Sequence, residues 1–147
     1  MMDGYINVLK PPGMSSGAVV AIVKRAAREK AGHAGTLDPE AAGVLPVMVG
    51  RATRLFDFLV EKQKTYLAEI AFGAATDTQD AQGTVIETGD SIPGFAAVQA
   101  VLPQFTGTVM QRPPIYSALK QGGQPLYRLA RKGQTADIPA RPIEIMR

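Results

Sequence analysis

The sequence predicts an α/β fold, a sheet flanked by helices, and three observations carry that prediction. Short apolar or alternating stretches near residues 5–9, 44–49, 65–72 and 84–88 have the length and period of strands. Residues 16–30, 51–62 and 94–104 repeat apolar side chains at helical spacing. Clusters of glycine and proline separate the two kinds of segment. With 147 residues, the chain is long enough to bury a core without a metal or disulfide staple.

The elements follow in order. Tyr5 to Leu9 reads as a strand that Lys10-Pro11-Pro12-Gly13 must break, because proline cannot donate to a ladder. Ser15 or Ser16 then caps a helix whose apolar stripe is Val19, Ile22, Val23 and Ala26. Lys24, Arg25, Arg28 and Lys30 load its later turns, where cations favour the helix dipole. The stretch AGHAGTLDPEAAG is rich in glycine and small side chains and reads as a loop. VLPVMVG follows as a strand, with Pro46 placing it at an edge or an irregularity. Ala52, Leu55, Phe56, Leu59 and Val60 mark the second helix, and KTYLAEIAFG alternates like a half-buried strand. GAATDTQDAQG is an acidic turn, a strand resumes near 84–88, and Phe95, Val98, Val101 and Leu102 mark a third helix. RPIEIMR alternates like a strand whose neighbours are expected beyond the terminus.

Composition excludes several chemistries. There is no cysteine, which removes disulfides, zinc thiolates, iron–sulfur clusters and thiol nucleophiles. A single histidine, His33, removes multi-histidine metal sites, so no metal is expected. No apolar run approaches the ~18 residues of a membrane span, and the first residues lack the pattern of a signal peptide. A soluble, cytoplasmic protein is the expectation. Net charge is +3, yet residues 65–110 hold five acids (Glu69, Asp77, Asp80, Glu87, Asp90) and no Lys or Arg. The rest of the chain therefore carries 16 basic groups against 8 acids. Such segregation suits a polyanion-binding face as well as it suits chance clustering on a solvated surface. Residues 106–133 hold five cations (Arg112, Lys120, Arg128, Arg131, Lys132) and no anion, with Tyr116 and Tyr127 between them. Either a nucleic-acid contact surface or a basic hairpin and helix would look like this.

The loop from Gly32 to Gly43 holds the best candidate for chemistry, Asp38, set between Leu37 and Pro39. The proline pushes Asp38 toward extended backbone, and the glycines allow a ligand close to the chain. A carboxylate in such a loop also serves as an ordinary turn cap. No Lys-Ser/Thr follows the glycines, so this is not a phosphate-binding P-loop. No G-x-S-x-G elbow occurs, and Asp38 and Glu40 stand too close in sequence to face each other across a sugar.

GYINVLKPPGMSSGAVVAIVKR followed by KAGHAGTLDPEAAGVLPVMVGRATRLFDFL resembles the TruB family of tRNA pseudouridine synthases. KTYLAEIAFGAATDTQDAQG and RPPIYSALKQGGQPLYRLARKG extend the resemblance over essentially the whole chain. The resemblance implies a mixed, largely antiparallel sheet and isomerisation of a uridine to pseudouridine in the T-loop of tRNA, at position 55. It implies Asp38 as the catalytic carboxylate, Tyr66 stacked on the target base, and His33 helping to hold the flipped nucleotide, with Asp38 and Tyr66 on one side of a cleft. Lys10, within Lys10-Pro11, matches a motif that supports the active-site loop. Lys64, Lys120, Arg128 and Arg131 are weaker RNA-contact candidates, the last three within an insertion near 106–133 that grips RNA. Ala34 and Ala42 stand where many relatives carry threonine, which removes hydroxyls but not the chemistry.

The reaction breaks a C–N bond and makes a C–C bond without redox change, so no cofactor is expected. The partner is the T-arm of tRNA, and the full-length protein is expected to be monomeric. The resemblance also implies that residues 1–147 are the N-terminal portion of a catalytic domain. A later segment would supply further strands, an arginine that pairs with Asp38, and a small RNA-binding domain. The isolated chain is therefore expected to be inactive or nearly so, and the alternative function is an RNA-binding or RNA-folding module without a competent site.

Overall fold

The computed structural model describes residues 2–60, 63–113, 120–121, 124–125 and 138–146. The chain divides into two compact units, residues 1–67 and 68–147. In the first, strand β1 (Gly4–Lys10) leads into helix α1 (Ser16–Ala27), then β2 (Ala31–His33) and β3 (Gly43–Val49). A 3-10 helix, Gly50–Leu55, and a short helix α2, Asp57–Val60, follow. The strand order is β1-β3-β2 and both pairings are antiparallel. Helix α1 closes one face of this sheet, where Val19, Leu45 and Val47 form the buried core. Val8, Met14, Val20, Val23, Ala31 and Leu37 pack around them.

Local sequence explains the start of this unit. Ser15 caps α1, accepting a hydrogen bond from the Ala18 amide at 3.2 Å. Arg28, in the left-handed region at φ 55°, ends it. The core-facing stripe is Ser16, Val19, Val20 and Val23, an i, i+3, i+4, i+7 pattern. Ile22, expected inside, is 47% exposed. The stripe is thus rotated from the one the apolar residues alone suggest, because a serine occupies its first position.

Three expectations change here. Ala31–His33 is a strand rather than loop, since small residues add easily to the free edge of β3. Pro46 lies in the central strand of the sheet, opposite Asn7. Its carbonyl accepts from the Ala34 amide at 2.9 Å. Carbonyl and nitrogen of one strand residue share a side, so the missing N–H falls where β2 has already ended. Thr65–Phe72 pairs with no strand among the described residues, and Tyr66, Leu67, Ile70 and Phe72 are exposed. Alternation defines two faces, but only a neighbouring ladder makes a strand.

Asp3 fastens the start of the 3-10 helix. Its carboxylate accepts from the Arg51 amide at 2.6 Å and from Arg51 Nε at 2.7 Å. Gly50 permits this closeness: its φ is +62°, and a Cβ there would strike the Asp3 carboxylate and the Met2 carbonyl. The bond from the Arg51 amide, then that from its side chain, holds the Asp3 carboxyl below its ordinary 3.8. A lowered folded-state pKa contributes stability that is complete above 3.8 and lost as pH falls through the folded value. Asp3→Asn is therefore expected to lower Tm at neutral pH and to match the wild type well below pH 3.8. Melting curves with the same deficit at both pH values would rule this out.

In the second unit, β4 (Ala74–Thr76) and β5 (Val85–Thr88) form an antiparallel hairpin with a bulge between Ala75 and Thr76. Its acids serve the turn. Asp77 accepts from the Thr84 amide at 2.8 Å, and Asp80 accepts from Thr78 Oγ1 at 2.7 Å and the Gln82 amide at 2.9 Å. Helix α3 (Phe95–Val101) runs into a 3-10 turn, Leu102–Phe105. It forms where its pattern predicts, yet Phe95, Val101 and Leu102 are exposed and only Val98 is half-buried. Strand β6 (Gly107–Gln111) pairs antiparallel with β9 (Arg141–Ile145). RPIEIMR thus has a neighbour within the chain, and residues 107–111, read as the start of an RNA-gripping segment, belong to its ladder. Two-residue strands β7 (Lys120–Gln121) and β8 (Gln124–Pro125) also pair antiparallel. The predicted α/β class holds, and every described pairing is antiparallel, but the strands form several small sheets rather than one.

Candidate active site

The loop that carries Asp38 is pinned on both sides. Lys10 closes β1 as a fully buried side chain, 0% exposed. Its Nζ donates to the carbonyls of Pro11 at 2.9 Å, Met14 at 2.7 Å and Pro39 at 2.9 Å. An ammonium has three donors, and all three are used. The proline-rich turn after β1 is poor in N–H groups, so the lysine supplies the donors its carbonyls need. Ser16 makes the second attachment: its hydroxyl donates to the Leu37 carbonyl at 2.9 Å and accepts from the Leu37 amide at 3.0 Å. The Leu37 side chain packs on the core, completing the anchorage.

Asp38 lies between these attachments and is exposed. Its carbonyl accepts from the Ala41 amide at 3.1 Å, closing a turn with Pro39 at the second position. Its carboxylate, in contrast, has no hydrogen-bond or ion-pair partner among the described residues, so the turn-cap reading of this side chain finds no bond to rest on. Arg51, which follows β3, is committed to Asp3.

Beside the loop is a cleft of about 250 Å³. It is lined by Ala34 to Leu37, by Val44 to Pro46 and by Gln63 to Tyr66, with Leu59. Tyr66 (71% exposed) and Lys64 therefore share a cleft with the residues leading into Asp38, which itself is outside that lining. His33 is placed elsewhere. It lines a second, more open groove with Lys30, Met48, Thr53 and Phe56. Its Nδ1 lies 2.5 Å from the Gly35 carbonyl. A carbonyl only accepts, so Nδ1 is the donor in this contact. Lys64 and Tyr66 thus line one cleft, and His33, which lines the other groove, is hydrogen-bonded to Gly35 of the first. Lys120 begins β7, while Arg128 and Arg131 are outside the described residues.

Ser16 is the residue that sequence reasoning missed. The signal was present: two adjacent serines stand at the start of α1, only one can be the cap, and the other is in phase with the buried stripe. Among the described residues no group of His, Asp and Glu side chains is arranged to hold a metal ion. No described helix is long and apolar enough to cross a membrane.

Comparison with known proteins adds the family. The tRNA pseudouridine synthase B of Symbiobacterium thermophilum is 52% identical over 99% of this chain, and that of Caldanaerobacter subterraneus subsp. tengcongensis is 50% identical over 98%. The chain spans about half the length of these curated relatives. Among solved structures, a chain of a Cbf5-Nop10-Gar1 complex matches 80% of this chain with 32% identity and a TM-score of 0.53, with 31% of that chain covered. A chain of an H/ACA RNP bound to a substrate RNA containing 2'-deoxyuridine matches 74% with 33% identity and a TM-score of 0.50, with 29% of that chain covered. The family model described as TruB family pseudouridylate synthase (N terminal domain) matches residues 23–147, and the chain belongs to that family.

Proposed function

We propose that this chain is the N-terminal part of the catalytic domain of an RNA pseudouridine synthase. Its substrate is the T-loop uridine at position 55 of tRNA, and Asp38 is its catalytic carboxylate. The observation that carries the reading is the state of Asp38: an exposed carboxylate without a structural partner among the described residues, on a loop anchored on both sides, next to a cleft containing Tyr66. The names of the similar proteins support the reaction class.

The target uridine is stacked in folded RNA, so it must be flipped out at a cost of a few kcal/mol. Tyr66 recovers ~1–3 kcal/mol by stacking on the base. Asp38 then acts as nucleophile or base while the bond from C1′ to N1 breaks. The ring turns, C5 bonds to C1′, the C5 proton leaves and N1 takes up a proton. Lys64 beside the cleft, and Lys120, Arg128 and Arg131 in the segment 106–133, attract phosphates without reading bases.

The test is tritium release from tRNA carrying C5-labelled uridine, with the protein at the full length of its gene product. Release of one tritium per tRNA, abolished by replacing the T-loop uridine, is the expected result. tRNA binding without release would favour the second reading, an RNA-binding module, which the 16 basic groups against 8 acids outside residues 65–110 would also suit.

A further inference from the structure

Ser15 and Ser16 are neighbours with different duties. Ser15 caps α1, so the helix does not need the Ser16 hydroxyl. Ser16 is nevertheless buried, 3% exposed, and gives both its donor and an acceptor site to Leu37 alone. The Leu37 amide belongs to the peptide plane before its Cα, and the Leu37 carbonyl to the plane after it. One hydroxyl bonded to both restrains φ and ψ of the residue that precedes Asp38. On the far side, the ring of Pro39 restricts its own φ and the ψ of Asp38, and Lys10 holds the Pro39 carbonyl. Little freedom remains in this stretch of backbone beyond the φ of Asp38 and its side-chain rotamers.

We propose that Ser16 is a positioning residue for Asp38: by clamping both peptide groups of Leu37 it fixes where the backbone of Asp38 starts and so narrows the directions from which the carboxylate approaches the substrate. The inference rests on the reading of Asp38 as the catalytic group. Among the described residues nothing holds the Asp38 carboxylate by its side chain, so what they contribute to its placement comes through the backbone, and a misplacement near 1 Å at a reacting group costs on the order of 100-fold in rate.

The test compares Ser16→Ala, Ser16→Cys and Ser15→Ala in the full-length protein by tritium release and thermal melting. Ser16→Ala should lower kcat by about 10- to 100-fold and leave KM for tRNA nearly unchanged. Ser15→Ala, which loses a helix cap, should lower Tm and leave kcat unchanged. Ser16→Cys fills the site with a somewhat larger side chain that offers only a weak donor and acceptor. It should lose less Tm than Ser16→Ala and lose kcat several-fold, which keeps the test decisive if the alanine variant folds poorly. Wild-type kcat in folded Ser16→Cys, or equal kcat losses in Ser15→Ala and Ser16→Ala, would overturn the proposal. Should the Ser16 variants stay active while Asp38→Asn is dead, only the clamp is wrong. Should Asp38→Asn be as active as the wild type, the catalytic reading fails with it.

Discussion

Asp38→Asn in the full-length protein is expected to remove pseudouridine formation, by at least about 100-fold, while melting temperature and tRNA affinity stay close to the wild type. The magnitude is that of losing a group that works as base or nucleophile. The selectivity follows from the structure. Asparagine has the shape of aspartate, the side chain is exposed, and no described residue depends on its charge. Neither the turn bond from the Ala41 amide to the Asp38 carbonyl nor the anchors at Leu37 and Pro39 involve the carboxylate. Single-turnover tritium release beside a filter-binding titration checks both halves. An asparagine variant that keeps a tenth of the rate would dismiss Asp38 as the catalytic group. One that unfolds would restore the turn-cap reading.

Lys10→Met is expected to have the largest effect on stability. Methionine nearly fills the space but removes three charge-assisted donors from the carbonyls of Pro11, Met14 and Pro39. Unsatisfied buried acceptors make the loss about 2–4 kcal/mol, a fall in Tm on the order of 10 °C. The release of Pro39 also frees one side of the Asp38 loop, so kcat should fall further than the remaining folded fraction explains. A variant that melts with the wild type would show that water reaches these carbonyls and that the lysine is dispensable. Lys10 and Ser16 act on opposite sides of Asp38, so their effects on kcat should be non-additive in a double-mutant cycle.

Much of the site was legible because its chemistry-bearing residues stand in continuous strings. GHAGTLDP places Asp38 in a loop beside a proline, and KTY places Lys64 next to Tyr66. The first three main elements were legible for the same local reason: alternation in β1, a serine pair and an apolar stripe in α1, and an apolar run in β3. The nature of Lys10 was less so. Its loop-supporting role came from the family resemblance, while its burial and its carbonyl partners, one of them 29 residues away, are not written in the residues around it.

By itself, the sequence determined the family, the α/β class, the identity of the candidate carboxylate and the exclusion of thiol and disulfide chemistry. The class and the exclusions depend on residue types and periodicity, and the family and the candidate carboxylate on the resemblance that the motif strings carry. Tertiary structure alone decided which serine caps and which clamps, because the Ser16 partner is 21 residues distant. It decided that Pro46 lies in the central strand, since a missing donor is harmless only where the neighbouring strand has ended. It also left Thr65–Phe72 without a ladder among the described residues and put His33 and Tyr66 on separate grooves. In each case the deciding quantity is a hydrogen bond or contact between segments distant in sequence, and a one-dimensional pattern carries the period of an element but not the identity of its neighbour.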